Sequence, residues 1–113
     1  MEDSILKTIR GLLGPNEVYK HFDQDIILHI NSALNYLDQL GIGPEDGFVV
    51  TGEKECWSDF LNDRKELQSA KQYVYLKVKT VFDPPSNAFV MDAMLKDIKE
   101  LEWRLECMGS DLE

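Results

Sequence analysis

Apolar residues recur at helical spacing in four stretches of the chain, separated by glycine and proline. In the first, Asp3 to Leu13, the residues Ile5, Leu6, Ile9, Leu12 and Leu13 fall at helical spacing, and Asp3 or Ser4 can cap the first turn. Gly14-Pro15 ends it. The second opens at Phe22-Asp23. There Ile26, Ile30, Ala33, Leu34 and Leu37 form one stripe at ~100° per residue, widened by Ile27, and Gly41 is the natural stop. The third runs from about Lys65 to Phe82, with Leu67, Ala70, Val74, Val78 and Val81 on a narrow stripe expected to be core. The fourth, about Asn87 to Cys107, collects Val90, Met91, Met94, Ile98, Leu101 and Leu105 on its inner side.

Two connections stand out. Between the last two helices lies Phe82-Asp83-Pro84-Pro85. Each proline fixes its own φ, lacks a donor N–H and turns the preceding residue away from helix. One helix therefore stops near Phe82 or Asp83, and Ser86 or Asn87 can cap the next. The other connection, Gly41 to Glu55, is rich in glycine and has one strand-like piece, Phe48-Val49-Val50-Thr51, so it is read as an ordered loop or a short β-hairpin. Trp57 and Phe60 follow on a short helical turn. The expectation is a mainly α, four-helix bundle-like domain, with a loop or short β-hairpin inserted between the second and third long helices.

The core stripes leave large side chains unplaced. On the third helix Tyr75 lies to one side of the stripe and Leu76 opposite it; on the fourth, Phe89 and Trp103 project well away from the inner side. That outer side also holds Asp92 with Lys96 and Glu100 with Arg104, i, i+4 pairs of a solvated face. Aromatics among surface charges suit contact with another molecule. Tyr75, Leu76, Phe89 and Trp103, together with Trp57, Phe60 and Phe48, are the candidate interface residues.

With 113 residues and 43% hydrophobic content, the chain suits one domain, residues 1–113, with a modest core. Its apolar runs are far short of the roughly 20 residues that span a bilayer, and no signal peptide is visible. Twenty-one acidic against twelve basic residues give a net charge of −9, which disfavours lasting contact with a phosphate backbone.

Candidate chemistry is sparse. Cys56 and Cys107 lack metal-ligand spacing and are read as reduced thiols, and His21 and His29 have no recognisable ligand set around them. Asp23-Gln24-Asp25 and Glu45-Asp46 lack the alternating ligands and terminal glutamate of a calcium loop. The glycines form no phosphate-binding pattern. No enzyme, cofactor or metal is expected.

The segments HFDQDIILHINSALNYLDQLGIGPEDGF at His21 to Phe48, YVYLKVKTVFDPP at Tyr73 to Pro85 and ELEWRL at Glu100 to Leu105, with the tryptophan-bearing Glu55 to Phe60, resemble the head-tail connector (adaptor) proteins of tailed bacteriophages. They span most of the chain in the family's order. The resemblance implies a structural virion protein, present in the host cytoplasm during assembly. It further implies a helical bundle that assembles with itself into a ring, commonly of twelve copies. That ring would lie between the portal protein and a downstream neck or tail-completion protein, and DNA would pass through without specific binding. Excess carboxylates on its wall would discourage adhesion of the genome. A second reading is an acidic helical binding module or inhibitor of phage origin that acts on a basic partner.

Overall fold

A computed structural model describes residues 4–15, 19–44, 46–61 and 64–111; Asp3 and Glu45 lie outside them, as do Leu112 and Glu113. Among the described residues the α-helices are α1 (Ile5–Leu13), α2 (Asp23–Gln39), the single turn α3 (Trp57–Phe60), α4 (Arg64–Phe82) and α5 (Ala88–Asp111), with a 3-10 turn at Lys20–Phe22 before α2. The expected mainly α architecture is present. Of the two alternatives for the insertion, the described residues between α2 and α3 take the loop: no strand occurs among them, only an isolated bridge between Ser4 and Cys56.

The ends of the helices follow from local chemistry. Ser4 caps α1, its hydroxyl accepting from the Lys7 amide at 3.3 Å. Helix α2 closes in a Schellman motif, in which the Ile42 amide donates to Leu37 O and the Gly41 amide to Asp38 O, both at 3.0 Å. Gly41 supplies the positive φ of 86° that this closure requires. At the double proline, Asn87 is the capping residue: its Oδ1 accepts from the amides of Phe89 at 2.8 Å and Val90 at 3.2 Å. The last helix runs on to Asp111, one turn past its expected end.

Helix α4 is the centre of the packing, in contact with α1, α2 and α5. It runs antiparallel to α2, since the Phe22 and Phe82 rings meet at 5.6 Å at one end and the Tyr36 and Tyr73 rings at 5.7 Å further along. It is also antiparallel to α5, through a 2.9 Å hydrogen bond from the Tyr73 hydroxyl to Glu102. A helix enclosed on several flanks buries more than one stripe. Leu76, expected opposite the core, is accordingly buried, as is Tyr73. Burial first, then the Glu102 carboxylate, pushes the Tyr73 hydroxyl well above its ordinary range. Tyr73→Phe is expected to cost about 1.5 kcal/mol, the lower end of the range for bonds to charged groups, because Glu102 can rehydrate. An unchanged urea midpoint would show that this bond contributes nothing net.

Two expectations about the core need correction. Val81 is 60% exposed and Val90 47%, although each lies on an inner stripe. Full burial on α5 begins only at Ile98, with Met94 partly covered against the core before it, and both valines lie nearer the hinge. The contact with the start of α2 is made instead by Phe82, whose ring meets Phe22 and Tyr19.

The loop is held at several points. Asn31 reaches from α2 to both backbone groups of Val50, donating to its carbonyl at 2.9 Å and accepting from its amide at 2.7 Å, in the manner of a neighbouring strand. Glu55 accepts from the Thr51 and Gly52 amides and from the Thr51 hydroxyl, and its carbonyl accepts from the Ile5 amide. Arg10, 3% exposed, joins α1 to the rest by ion pairs with Asp23 at 2.7 Å and Glu53 at 2.6 Å. Trp57 and Phe60 of α3 then fill the core beneath the loop, with Phe60 against Phe48 and closely approached by Gly43.

Candidate assembly surface

Helix α5 divides into two halves with different surroundings. Ile98, Leu101 and Leu105 are buried, whereas no residue from Ala88 to Asp97 is. The inner stripe nevertheless continues through Val90, Met91 and Met94, so the first ten residues form an amphipathic segment only partly covered by their own chain. On the outer side, at ~100° per residue, Phe89 and Trp103 lie about 180° and 140° from Ile98. They are 86% and 66% exposed. Fourteen positions apart, they sit almost on one line along the helix, roughly 21 Å from each other.

A groove of about 400 Å³ opens where α1 meets α4. Thr8 and Leu12, one turn apart on α1, form one wall; Gln68 and Gln72, with Lys71 and Tyr75, form the other, where Ser69 also contributes. None of the described residues lining it is acidic. The Lys71 ammonium in this wall lies 5.6 Å from the centre of the buried Trp57 ring. A second cleft, of about 320 Å³, lies between α2 and the loop and is lined by Asn31, Asn35, Asp38 and residues 46–49.

The predicted interface residues are therefore not one group. Phe89 and Trp103 are open to solvent; Tyr75 is half-buried in the groove, and Phe48 is half-buried against Phe60. Leu76, Trp57 and Phe60 are enclosed within the protomer. Exposed large apolar residues outside the predicted set are Leu12, Phe22, Leu28, Val49, Val81, Val90 and Leu95. A signal existed for Leu28: in the run Ile26-Ile27-Leu28 on a helix, the third residue must point away from a stripe centred on Ile26 and Ile30. Leu12, one of the residues at helical spacing on α1, is 56% exposed, one turn from Thr8.

Among the described residues there is no group of three or more His, Cys, Asp or Glu placed to hold a metal ion, and no helix is long and apolar enough to cross a membrane. What the surface offers is apolar projections and a groove, which suit contact between proteins. A family model described as phage connector protein matches residues 5–110. The chain belongs to that family. Searches of curated proteins and of solved structures gave no match. The phage connector family is a structural one, and membership gives this connector a structural role in the phage particle, in association with portal and neck proteins.

Proposed function

We propose that this connector, as one domain over residues 1–113, assembles head-to-tail into a closed ring that joins the portal of the phage head to the neck or tail and lets the genome through. The observation that carries the reading is α5, where a helix of a connector-family protein leaves Phe89 and Trp103 largely in solvent and half of its inner stripe partly covered. Head-to-tail assembly uses two different faces of each subunit, and α5 and the α1–α4 groove are two such faces. The net charge of −9 fits a channel wall with excess carboxylate, which repels DNA and lets it slide. The protein enters the virion from a pool in the host cytoplasm, and no chemistry is required of it.

Native mass measurement of the chain, alone and with its portal, tests this. A closed oligomer in either sample supports the ring; a monomer in both, binding a basic protein instead, favours the acidic binding module. Trp103→Ala is expected to change folding stability by no more than about 0.5 kcal/mol, as surface substitutions do, while weakening assembly. Severe unfolding of that variant would assign Trp103 to the fold.

A further inference from the structure

We infer that adjacent copies are joined by one particular pairing: Trp103 on α5 of one copy seats in the α1–α4 groove of the next. This deepens the ring reading and rests on it. The two surfaces lie on different flanks of α4. Tyr73 meets α5 through Glu102, while Lys71 and Tyr75 face α1 across the groove. At ~100° per residue, the direction midway between Lys71 and Tyr75 is about 180° from that of Tyr73. A projection and a recess so placed on one rigid body pair between copies, and the repeat of that contact runs head-to-tail.

Charge selects the groove as the receiving surface. Trp103 has Glu100 and Glu106 three positions away on either side and Lys99 four positions before it, on a helix with six acidic against three basic residues, and Glu100 is already engaged by Arg104 at 2.9 Å. In a chain with 21 acidic and 12 basic residues, a net-acidic helix meets like charge over most of another copy. The groove is different, because its described lining has no carboxylate and includes Lys71. Lys71, whose ammonium lies over the Trp57 ring in the free copy, is the cation that this wall can turn to the glutamates, with Leu12 and Tyr75 as apolar walls. At about 400 Å³ it has room for an aromatic anchor of the kind that dominates protein interfaces. Phe89, roughly 21 Å along the same line, extends the contact beyond a single side chain.

The chain supplies its own reporter. Cys107 is exposed and lies one turn beyond Trp103, on the same side of α5. Full-length protein carrying Cys56→Ser and Gln72→Cys, alone and with its portal, would be oxidised mildly and resolved without reductant. The expected result is a ladder of covalent oligomers in which Cys107 of one copy is joined to the thiol introduced by Gln72→Cys in another, identified by peptide mass. Adding Trp103→Ala should weaken association at least about tenfold, with Trp103→Phe retaining most of it. An oligomer of native mass in which these two thiols remain unlinked, while a thiol introduced by Leu28→Cys links instead, overturns this pairing and leaves the ring intact. A monomer under all conditions overturns both.

Discussion

Trp57→Ala is expected to destabilise the protein by about 3–5 kcal/mol, the range for truncating a fully buried tryptophan, and to be the most damaging single change. The side chain has no exposed surface and belongs to the continuous core. It projects from a four-residue helix at the end of the loop, so the cavity would be roofed by short segments left with Phe60 and their polar ties. Domains of this size are stable by about 5–15 kcal/mol, and the variant would populate unfolded chain at moderate temperature. Trp57→Phe is expected to stay within about 1.5 kcal/mol. It keeps most of the volume and removes the indole N–H, which is buried without a hydrogen-bond partner among the described residues. Denaturant melts followed by circular dichroism would measure both. A wild-type midpoint for Trp57→Ala would mean that α3 and the loop unfold separately from the bundle.

Arg10→Ala is the second large effect, at about 2 kcal/mol. Removing one partner from a buried ion pair costs about 3–5 kcal/mol when the other charge stays trapped. Here Asp23 and Glu53 are 27% and 36% exposed and can recover water, which lowers the cost. The same contact gives a pH signature. The hydrogen bond from Arg10 holds the Glu53 carboxyl below its ordinary range, and the hydrogen bond from Thr51 does the same for Glu55. A carboxyl with a lowered folded-state value adds stability that is complete above the unfolded value and is lost as pH falls through the folded one. Stability should therefore fall on the acid side of the carboxylate range. Arg10→Ala should remove the Glu53 part of that fall and leave the Glu55 part, as melts at a series of pH values would show. Equal acid sensitivity in the two proteins would rule out the Arg10–Glu53 pair as its source.

Periodicity made the helices legible, because each buried stripe is written as apolar residues at helical spacing. Ile26, Ile30, Ala33, Leu34 and Leu37 are all buried as expected, and the double proline ends α4 where backbone chemistry requires. Periodicity does not say how many neighbours a helix has. Leu76 was assigned to an outer face because a helix with one neighbour has one, and α4 has three. Val81 and Val90 failed the opposite way, since a stripe can continue past the point where full burial stops. Arg10 gave no signal in the sequence: a charged residue beside an apolar stripe looks solvated until Asp23 and Glu53 are brought to it from positions 13 and 43 residues away. Phe89 and Trp103 were visible as large aromatics on a charged helix face. The groove was not, because Leu12 and Tyr75 come from helices whose relative placement no local pattern encodes.

The uneven cover of α5 also sets where this molecule breathes. Ala88 to Asp97 has its own helical hydrogen bonds but little buried surface to enforce them, whereas Ile98 to Leu105 is fixed to α4. Segments of the first kind open at free energies well below that of global unfolding. In an isolated copy, amide exchange is expected to be faster across the first ten residues of α5 than across the following eight, and to slow in the first segment once copies associate. The helix would then complete its ordering at the moment of joining, which lowers the net strength of each contact. That leaves a misplaced subunit free to depart before a circle closes around it.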